Sequence, residues 1–314
     1  MNREGAAQST AGGSPAGAAP PTRRRLSPRG RARWLLFGAG LLFGLLAVLA
    51  RIAATHGFAA GQVATVRFGV GAVLTLGLFR LRPGTWRPVN RPLLVTRGAL
   101  GGLAAFLYFV ALSLIPAGQA TLLNNTFPVI AVGISFLTLH ERPTLHLLVA
   151  LALTSLGVFL VLGGGHLGFQ PSWGQLVGIA SAFLGAGAVT SIRALRATDN
   201  APTIFFFFTV GGLLVSLPFA LGPWSAAPGP WAAALAAGVV SFLAQMFMTE
   251  AYGALTVAEA AVWQQLTPVA SYLWAGALLD ERLSLVGAMG VGLGIVGVAY
   301  GSVLGSRAPA RVRS

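Results

Sequence analysis

Long apolar runs dominate this sequence, because from residue 34 to residue 304 one run follows another with only short polar breaks. Of the 314 residues, 55% are hydrophobic and 9% are charged, whereas about 25% of the residues in soluble domains are charged. A helix of about 20 apolar residues crosses the hydrocarbon core of a bilayer. The pattern therefore predicts an all-α polytopic membrane protein.

Ten apolar runs, bounded by charged residues, Pro and Gly, predict ten transmembrane helices. The predicted spans are residues 34–54, 60–79, 93–115, 118–139, 144–164, 173–194, 201–221, 231–250, 257–279 and 284–304. The loops between these spans are short and leave no room for a soluble domain.

The two ends of the chain are polar. Residues 1–22 are mostly Ala, Gly, Pro and Ser, a composition that cannot bury enough apolar surface to fold. The next residues include six arginines: Arg23, Arg24, Arg25, Arg29, Arg31 and Arg33. This basic run favours a cytoplasmic anchor to anionic membrane lipid over a cleaved signal peptide. Residues 1–33 are thus predicted to be a disordered cytoplasmic tail, and residues 305–314 a short basic one.

The basic residues indicate how the chain is oriented. All 21 are Arg, and most lie in the tails and in loops that alternate along the predicted spans. The positive-inside rule then places both termini in the cytoplasm and the chain in the cytoplasmic (inner or plasma) membrane. The same distribution argues against a nucleic-acid partner. With no Cys and no paired His spacing, the sequence predicts no metal site and no cofactor.

The second half of the chain repeats the first. A shift of 140 residues aligns, without gaps, Pro128 with Pro268, Val129 with Val269, Glu141 and Arg142 with Glu281 and Arg282, and Gly157 with Gly297. Residues 34–164 and 173–304 therefore form two repeats of five spans each. Because five is an odd number, the repeats have opposite orientations, as in transporters with inverted-topology symmetry.

Several motifs carry a resemblance to a known family. Span four contains P-V and ends in H-E-R, span nine contains P-V and ends in D-E-R-L, and Val66, Arg67 and Phe68 give V-R-F in span two. In this order and in a five-plus-five layout, the sequence resembles EamA-type members of the drug/metabolite transporter superfamily over residues 34–304. The resemblance implies a ten-helix transporter whose central cavity is lined chiefly by helices 1, 3, 4, 6, 8 and 9.

Polar side chains lie at matching positions in spans four and nine. The 140-residue shift pairs Asn124 with Gln264 and Asn125 with Gln265, and each amide offers donors and an acceptor to a polar organic solute. Just beyond them, Pro128 and Pro268 predict helix kinks that free backbone carbonyls. These residues are predicted to bind substrate; amide bonding between helices is the alternative.

Arginines also fall within the apolar runs. Arg67 lies about 10 Å from the outer end of span two, at 1.5 Å per residue. It is predicted either to attract an anionic or zwitterionic substrate group or to bind backbone carbonyls. Arg51 and Arg97 lie about one turn inside helix ends, where their side chains are predicted to extend to the headgroups.

Aromatic and acidic residues complete the candidate site. Tyr108 and Trp263 are candidates to stack on a planar substrate or a cation. Tyr252 is a further candidate to stack, with an interfacial position as its alternative. Glu259 and Glu250 are candidate titrating groups for proton coupling, or else interfacial carboxylates.

These features predict a secondary active transporter of a small polar or amphiphilic organic metabolite, working by alternating access. A lipid flippase or membrane-embedded enzyme, and a non-transporting membrane protein, are the alternatives. No catalytic motif is recognisable, so the chain is not predicted to be an enzyme. The glycines of span ten, which are Gly290, Gly294, Gly297 and Gly301, suit either a homodimer contact or packing within the chain.

Overall fold

The computed structural model describes residues 27–115, 123–162, 172–279 and 284–304, and every regular element within them is helical. The helices are α1 (Pro28–Thr55), α2 (Ala60–Leu81), α3 (Arg91–Leu114), α4 (Phe127–Thr138), α5 (Leu145–Val161), α6 (Trp173–Leu195), α7 (Ala201–Ser216), α8 (Pro228–Ala251), α9 (Val257–Gln264), α10 (Leu266–Leu278) and α11 (Leu285–Leu304). A 3₁₀ turn, Leu217–Ala220, extends α7. The prediction of an all-helical protein is confirmed.

The surface of the bundle is that of a membrane protein. Among the described helices, α1, α2, α6, α7 with its 3₁₀ turn, α8 and α11 are long and apolar enough to cross a bilayer, while α4 and α5 are apolar but shorter. Large apolar side chains such as Val73, Leu137 and Leu285 are exposed on the outside. Lipid tails, unlike water, are a favourable surrounding for such a surface. The number of ten spans stays a prediction.

The first helix begins earlier than predicted. Pro28 occupies its first turn, where Pro is favoured, and the Ser27 hydroxyl accepts a hydrogen bond from Gly30 N at 3.1 Å. Residues 28–33, predicted to belong to the disordered tail, are therefore helical and carry Arg33 into the bundle. The rest of that tail, the C-terminal tail and the second acidic-basic pair, Glu281 and Arg282, lie outside the described residues.

Helices from the two halves of the chain pack against each other. The largest contacts join α1 to α8, α3 to α6 and α5 to α11, followed by α3 with α7, α1 with α10, and α2 with α7 and α8. A core of nearly inaccessible side chains forms where several of these helices meet, and Leu36, Leu94, Ile192, Ile204 and Leu255 belong to it. No described helix therefore has a partner only within its own half.

Glycines allow the contact between α5 and α11 to be very close. A Cβ on Gly157 of α5 would lie 2.7 Å from the carbonyl oxygen of Gly290 on α11. Gly297 and Gly301 meet α5 in the same way. The glycines of α11 thus pack within the chain, one of the two uses that the sequence suggested for them. The homodimer stays a prediction that this packing does not support.

Candidate functional site

Two apolar helices are interrupted inside the bundle. Asn125 and Thr126 form a turn directly before α4, which carries Pro128 in its first turn. Gln265 separates α9 from α10, three residues before Pro268. Because Pro has no N–H, the carbonyl one turn earlier, at residues 124 and 264, loses its helical partner. Both interruptions thus leave backbone groups in the protein interior that another group can bind.

The side-chain amides at the interruptions contact different neighbours. Asn124 Nδ2 donates to Ser181 Oγ on α6 at 2.8 Å, and Gln265 Nε2 donates to Ser155 Oγ on α5 at 3.0 Å. Gln264 Nε2 donates to the hydroxyl of Tyr252. These partners of Asn124, Gln264 and Gln265 thus lie on α6, at the end of α8 and on α5. That these amides bind one substrate stays a prediction.

The break between α9 and α10 contains polar atoms that lack partners. Trp263 Nε1 and Gln265 Oε1 are buried, and neither has a hydrogen-bond partner in the described part of the chain. The Trp263 side chain also packs between the two largest groups of core residues. Buried polar atoms in proteins are nearly always hydrogen-bonded, so an unpaired donor and an unpaired acceptor at one helix break are suited to a polar ligand.

Arg67 lies between three helices. Its Nε donates to Ser241 Oγ on α8 at 2.8 Å, and its Cζ lies 4.8 Å from the centroid of the Phe68 ring. Its Cζ is also 6.0 Å from the centroid of Phe208 on α7. The side chain thus bonds to a hydroxyl, rather than to the backbone carbonyls that were one of its two predicted partners.

Tyr108 and Asn125 occupy less informative positions. Tyr108 lies on α3, Asn125 lies in the turn before α4, and both are half-buried.

A cavity of about 150 Å³ lies between α2, α3 and α7 and is lined mainly by apolar residues, among them Phe68 and Phe106. Ligand pockets usually measure about 300–1,000 Å³. This cavity is therefore too small to hold an organic metabolite by itself.

The two candidate proton-coupling residues are ion-paired. Arg33 donates to Glu259 Oε1 through Nε at 2.8 Å and through Nη2 at 2.7 Å, and Glu259 is 4% exposed. Arg196 Nη2 donates to the more exposed Glu250 at 3.0 Å. Arg33, predicted to anchor the tail to lipid, therefore binds a carboxylate within the protein.

Glu141 connects three further segments. Its Oε1 accepts from Arg193 Nε at 2.8 Å, and its Oε2 accepts from Val257 N at the start of α9, also at 2.8 Å. Arg193 Nη1 in turn donates to the carbonyl of Tyr252 at 3.1 Å. A carboxylate at a helix N-terminus is stabilised by the unpaired backbone N–H groups there. This interaction ties the end of α4 to α6 and to α9.

Two residues lie deeper than the sequence suggested. Arg97 was predicted to extend to the headgroups, but it is 3% exposed, and its Cζ lies 4.4 Å from the Phe208 centroid. Tyr252, predicted either to stack on a substrate or to lie at the interface, is fully buried and bonded to Gln264. The headgroup position of Arg97 and the interfacial position of Tyr252 were wrong because both used distance from a helix end, whereas burial depends on which neighbouring helices cover that end. The apolar sequences of α3 and α8 do not indicate that these two side chains are buried.

Asp199 is a further residue that sequence reasoning missed. It is 3% exposed, and its carboxylate accepts from Val89 N at 2.7 Å and from Asn90 N at 3.1 Å. Thr198 Oγ1 donates to the same carboxylate at 2.6 Å. Asp199 therefore fixes the loop before α3 against the loop before α7. Only its position in a polar loop could have drawn attention to it.

Replacing Asp199 with Ala is expected to destabilise the protein by about 2–3 kcal/mol, because two backbone N–H groups lose a charged acceptor. Asp199→Asn keeps one acceptor oxygen and should cost less. Thermal unfolding of the purified variants measures the effect. Thr198→Ala is the matched control, since it removes one donor and leaves both backbone groups bonded. If Asp199→Ala and Thr198→Ala unfolded at the same temperature, the proposed role of Asp199 would be wrong.

Broken apolar helices with buried polar groups at the breaks define a class of protein. Irregular backbone at membrane depth is tolerated only where protein or a polar cavity surrounds it. Transporters use such discontinuous helices to bind solutes near the middle of the bilayer. The geometry is therefore that of a polytopic membrane protein with a polar interior.

Comparison with known proteins identifies the family within this class. The EamA-like transporter family matches the chain twice, over residues 31–163 and 172–302. A pseudopaline exporter of Pseudomonas aeruginosa strain UCBPP-PA14 is 30% identical over 198 residues, which is 62% of this chain and 68% of that protein. Its counterpart in strain PAO1 is 29% identical over 195 residues, with coverage of 62% and 68%. The chain belongs to the EamA-like transporter family and is a membrane transporter, as the motifs predicted.

Two more distant similarities agree with this. An uncharacterized transporter of Synechocystis is 27% identical over 234 residues, covering 68% of this chain and 70% of that protein. A solved crystal structure shares the fold with a TM-score of 0.75 at 22% identity, over 88% of this chain and 98% of that one. The latter likeness concerns the fold alone.

Proposed function

We propose that this protein is a secondary active transporter that moves a small polar organic metabolite across the cytoplasmic membrane by alternating access. The observation that carries the proposal is the break between α9 and α10, where Trp263 and Gln265 hold buried polar atoms without partners. Because the chain belongs to a transporter family, it must bind a solute, and this polar break is the proposed binding position. In the proposal, Asn124, Asn125, Gln264 and Tyr108 line the rest of the site.

The reciprocal packing of the helices supports two inverted five-span repeats. The 140-residue shift relates α1 to α6, α2 to α7, α3 to α8 and α5 to α11. Under this shift, the α1–α8 contact corresponds to the α6–α3 contact, and the α2–α8 contact corresponds to the α7–α3 contact. The α5–α11 contact corresponds to itself. Two similar halves in opposite orientations can exchange conformations, which opens a central site to one side and then to the other.

The ion pairs support a cytoplasmic gate. Arg33 with Glu259 joins the start of α1 to the start of α9, and Arg193 with Glu141 joins the end of α6 to the segment after α4. Arg196 with Glu250 joins the ends of α6 and α8. The Arg distribution assigns all these ends, and both termini, to the cytoplasm. Arg33 with Glu259, and Glu141 with Val257, join the first half to the second. They hold that side closed and would separate when the site opens there.

Export is the proposed direction, in line with the two pseudopaline exporters among the relatives. Reconstituted protein is expected to give saturable flux for at least one class among amino acids, nucleotides, amines and pseudopaline. Comparing flux with and without a pH gradient tests proton coupling. If Glu259 is the coupling group, Glu259→Gln removes the effect of the gradient. The absence of saturable flux for every class would contradict the proposal.

A paired substitution tests the site within this proposal. Gln265→Leu removes the amide at the helix break with little change in volume and is expected to lower flux at least tenfold, an effect of about 1.4 kcal/mol. Gln175→Leu, a buried glutamine near the start of α6, is the control and should transport normally. Equal flux through both variants would exclude the α9–α10 break as the binding position.

A further inference from the structure

Two arginines from different helices approach the same aromatic ring. Arg97 Cζ on α3 lies 4.4 Å from the centroid of Phe208, and Arg67 Cζ on α2 lies 6.0 Å from it. Like charges this close repel each other, the more so in an interior where water screens them little. The protein therefore concentrates positive charge around Phe208.

No described carboxylate compensates this charge. Each of the four is bonded elsewhere: Glu259 to Arg33, Glu141 to Arg193 and Val257 N, Glu250 to Arg196, and Asp199 to two backbone N–H groups and Thr198. Charged groups within a membrane protein are costly and usually pair with one another or face a polar cavity. Arg67 and Arg97 thus lack the carboxylate partner that Arg33, Arg193 and Arg196 each have.

Close helix packing holds Arg97 in this place. Gly98 and Gly211 bring α3 and α7 into backbone contact, since a Cβ on Gly211 would lie 2.3 Å from the Gly98 carbonyl oxygen. A Cβ on Gly101 would lie 2.0 Å from Arg97 Nη1, so the guanidinium occupies space that a side chain at this position would fill. Arg97 Nε is buried and has no hydrogen-bond partner in the described chain.

The two arginines retain donors for a ligand. A cation–π contact uses the face of a guanidinium, and its N–H groups point outward in the plane. Arg67 has one hydrogen bond within the described residues, from Nε to Ser241. Its remaining N–H groups can form a bidentate contact with a carboxylate or phosphate, the geometry in which Arg binds these groups most strongly.

This charged position adjoins the proposed substrate site. Leu94, one turn before Arg97 on α3, and Tyr252 belong to the same group of packed core residues, and the Tyr252 hydroxyl is bonded to Gln264 at the break between α9 and α10. A solute that contacts Gln264 with a neutral polar group therefore has a cationic position within reach of another part.

We propose that Arg67 and Arg97, which both approach the ring of Phe208, bind the carboxylate or phosphate group of an organic anion, which makes anions the substrate class of this transporter. The inference rests on the proposed function, because it names the solute of the same site. It also gives Arg97, which the sequence suggested would face the headgroups, a direct role in binding.

Ligand-induced stabilisation tests the proposal on the full chain in a non-ionic detergent. Citrate and glycerol phosphate are the anionic probes, with choline and glucose as cationic and neutral probes. At least one anionic probe should raise the melting temperature, and the other two should not. Arg67→Gln and Arg97→Gln should each weaken the anion response about 10- to 100-fold. Arg80→Gln, on the exposed cytoplasmic end of α2, should leave it unchanged.

Arg97→Met distinguishes a ligand site from a structural role. Removing an uncompensated buried charge should raise the melting temperature without ligand while abolishing the response to the anion. A fall in the ligand-free melting temperature of a variant that still responds to anions would overturn the proposal. A response to the anionic lipid phosphatidylglycerol, but to neither soluble anion, would also overturn it, because the pair would then be a lipid site.

Flux measurements separate this inference from the proposed function. If the wild-type protein transports only neutral or cationic solutes, and Arg67→Gln and Arg97→Gln transport them normally, the anion site is wrong and the transporter stands. If anions bind through both arginines but no solute crosses the membrane, the anion site stands and transport is wrong. Anion flux that both substitutions abolish supports the two together.

Discussion

Arg33→Gln is expected to destabilise the protein by about 3 kcal/mol or more, and Glu259→Gln by about 1 kcal/mol or less. The two residues form one ion pair, yet their surroundings differ. The Glu259 side chain is 6% exposed, whereas that of Arg33 is 22% exposed. Losing Arg33 leaves a buried carboxylate without its two strongest donors. Losing Glu259 leaves Arg33, whose side chain can reach water near the start of α1.

The thermal unfolding of the two variants measures this asymmetry. The exchanged pair, Arg33→Glu with Glu259→Arg, should recover part of the loss. Recovery stays incomplete because a cation at position 259 opposes the positive N-terminal end of α9. If the two single variants unfolded at the same temperature, the interaction would be an exposed pair of little energetic weight.

The same pair gives a measurable gate. The sequence contains no Cys, so one introduced cysteine reports local access without background. Ala258 is 4% exposed and lies beside the pair. Labelling of Ala258→Cys from the cytoplasmic side should become several-fold faster when Glu259→Gln is added. An unchanged labelling rate would mean that this ion pair does not control access.

Gly211→Ala should have an effect of similar size. The added Cβ would lie 2.3 Å from the Gly98 carbonyl oxygen and 2.6 Å from its carbon, both backbone atoms that cannot rotate away. Helices α3 and α7 must therefore separate, which also loosens the contact of Arg97 with Phe208. We expect a loss of about 3 kcal/mol, the upper range for overpacked sites, together with a loss of anion binding.

Gly77→Ala is the matched control for this substitution. A Cβ on Gly77, near the C-terminal end of α2, meets no other group within 4 Å. Because Ala is the better helix former, this variant should be neutral or up to about 1 kcal/mol more stable. If Gly211→Ala unfolded at the same temperature as Gly77→Ala, the close approach of α3 and α7 would be wrong.

Helix positions could be predicted from the sequence because they depend on local properties. Runs of about twenty apolar residues must form helices in lipid, where every backbone group needs a partner within the segment. The predicted bounds of α2, α6 and α11 therefore agree with the observed helices to within two residues. Pro128 and Pro268 act locally as well, because each removes a donor from its own helix. The family resemblance rested on such features and was confirmed.

Side-chain environments could not be predicted in this way. Arg51 and Arg97 both lie about one turn from a helix end, yet Arg51 is exposed and Arg97 is buried. The difference comes from α7, whose Gly211 lets it approach α3 and place Phe208 over the guanidinium. The partners of Arg33 and Arg97 lie more than a hundred residues away along the chain, and no local pattern encodes them.

The sequence by itself therefore determined that this protein lies in a membrane, where its helices fall along the chain, that its two halves are related, and that helices break at Pro128 and Pro268. These follow from the hydrophobic effect and from backbone hydrogen bonding, which act over one turn or one span. The tertiary structure alone decided that Arg33 meets Glu259, that the amides bind different helices, and that Arg67 and Arg97 share one ring. Those contacts arise only when distant helices pack, because charge and hydrogen bonding are satisfied by neighbours in space.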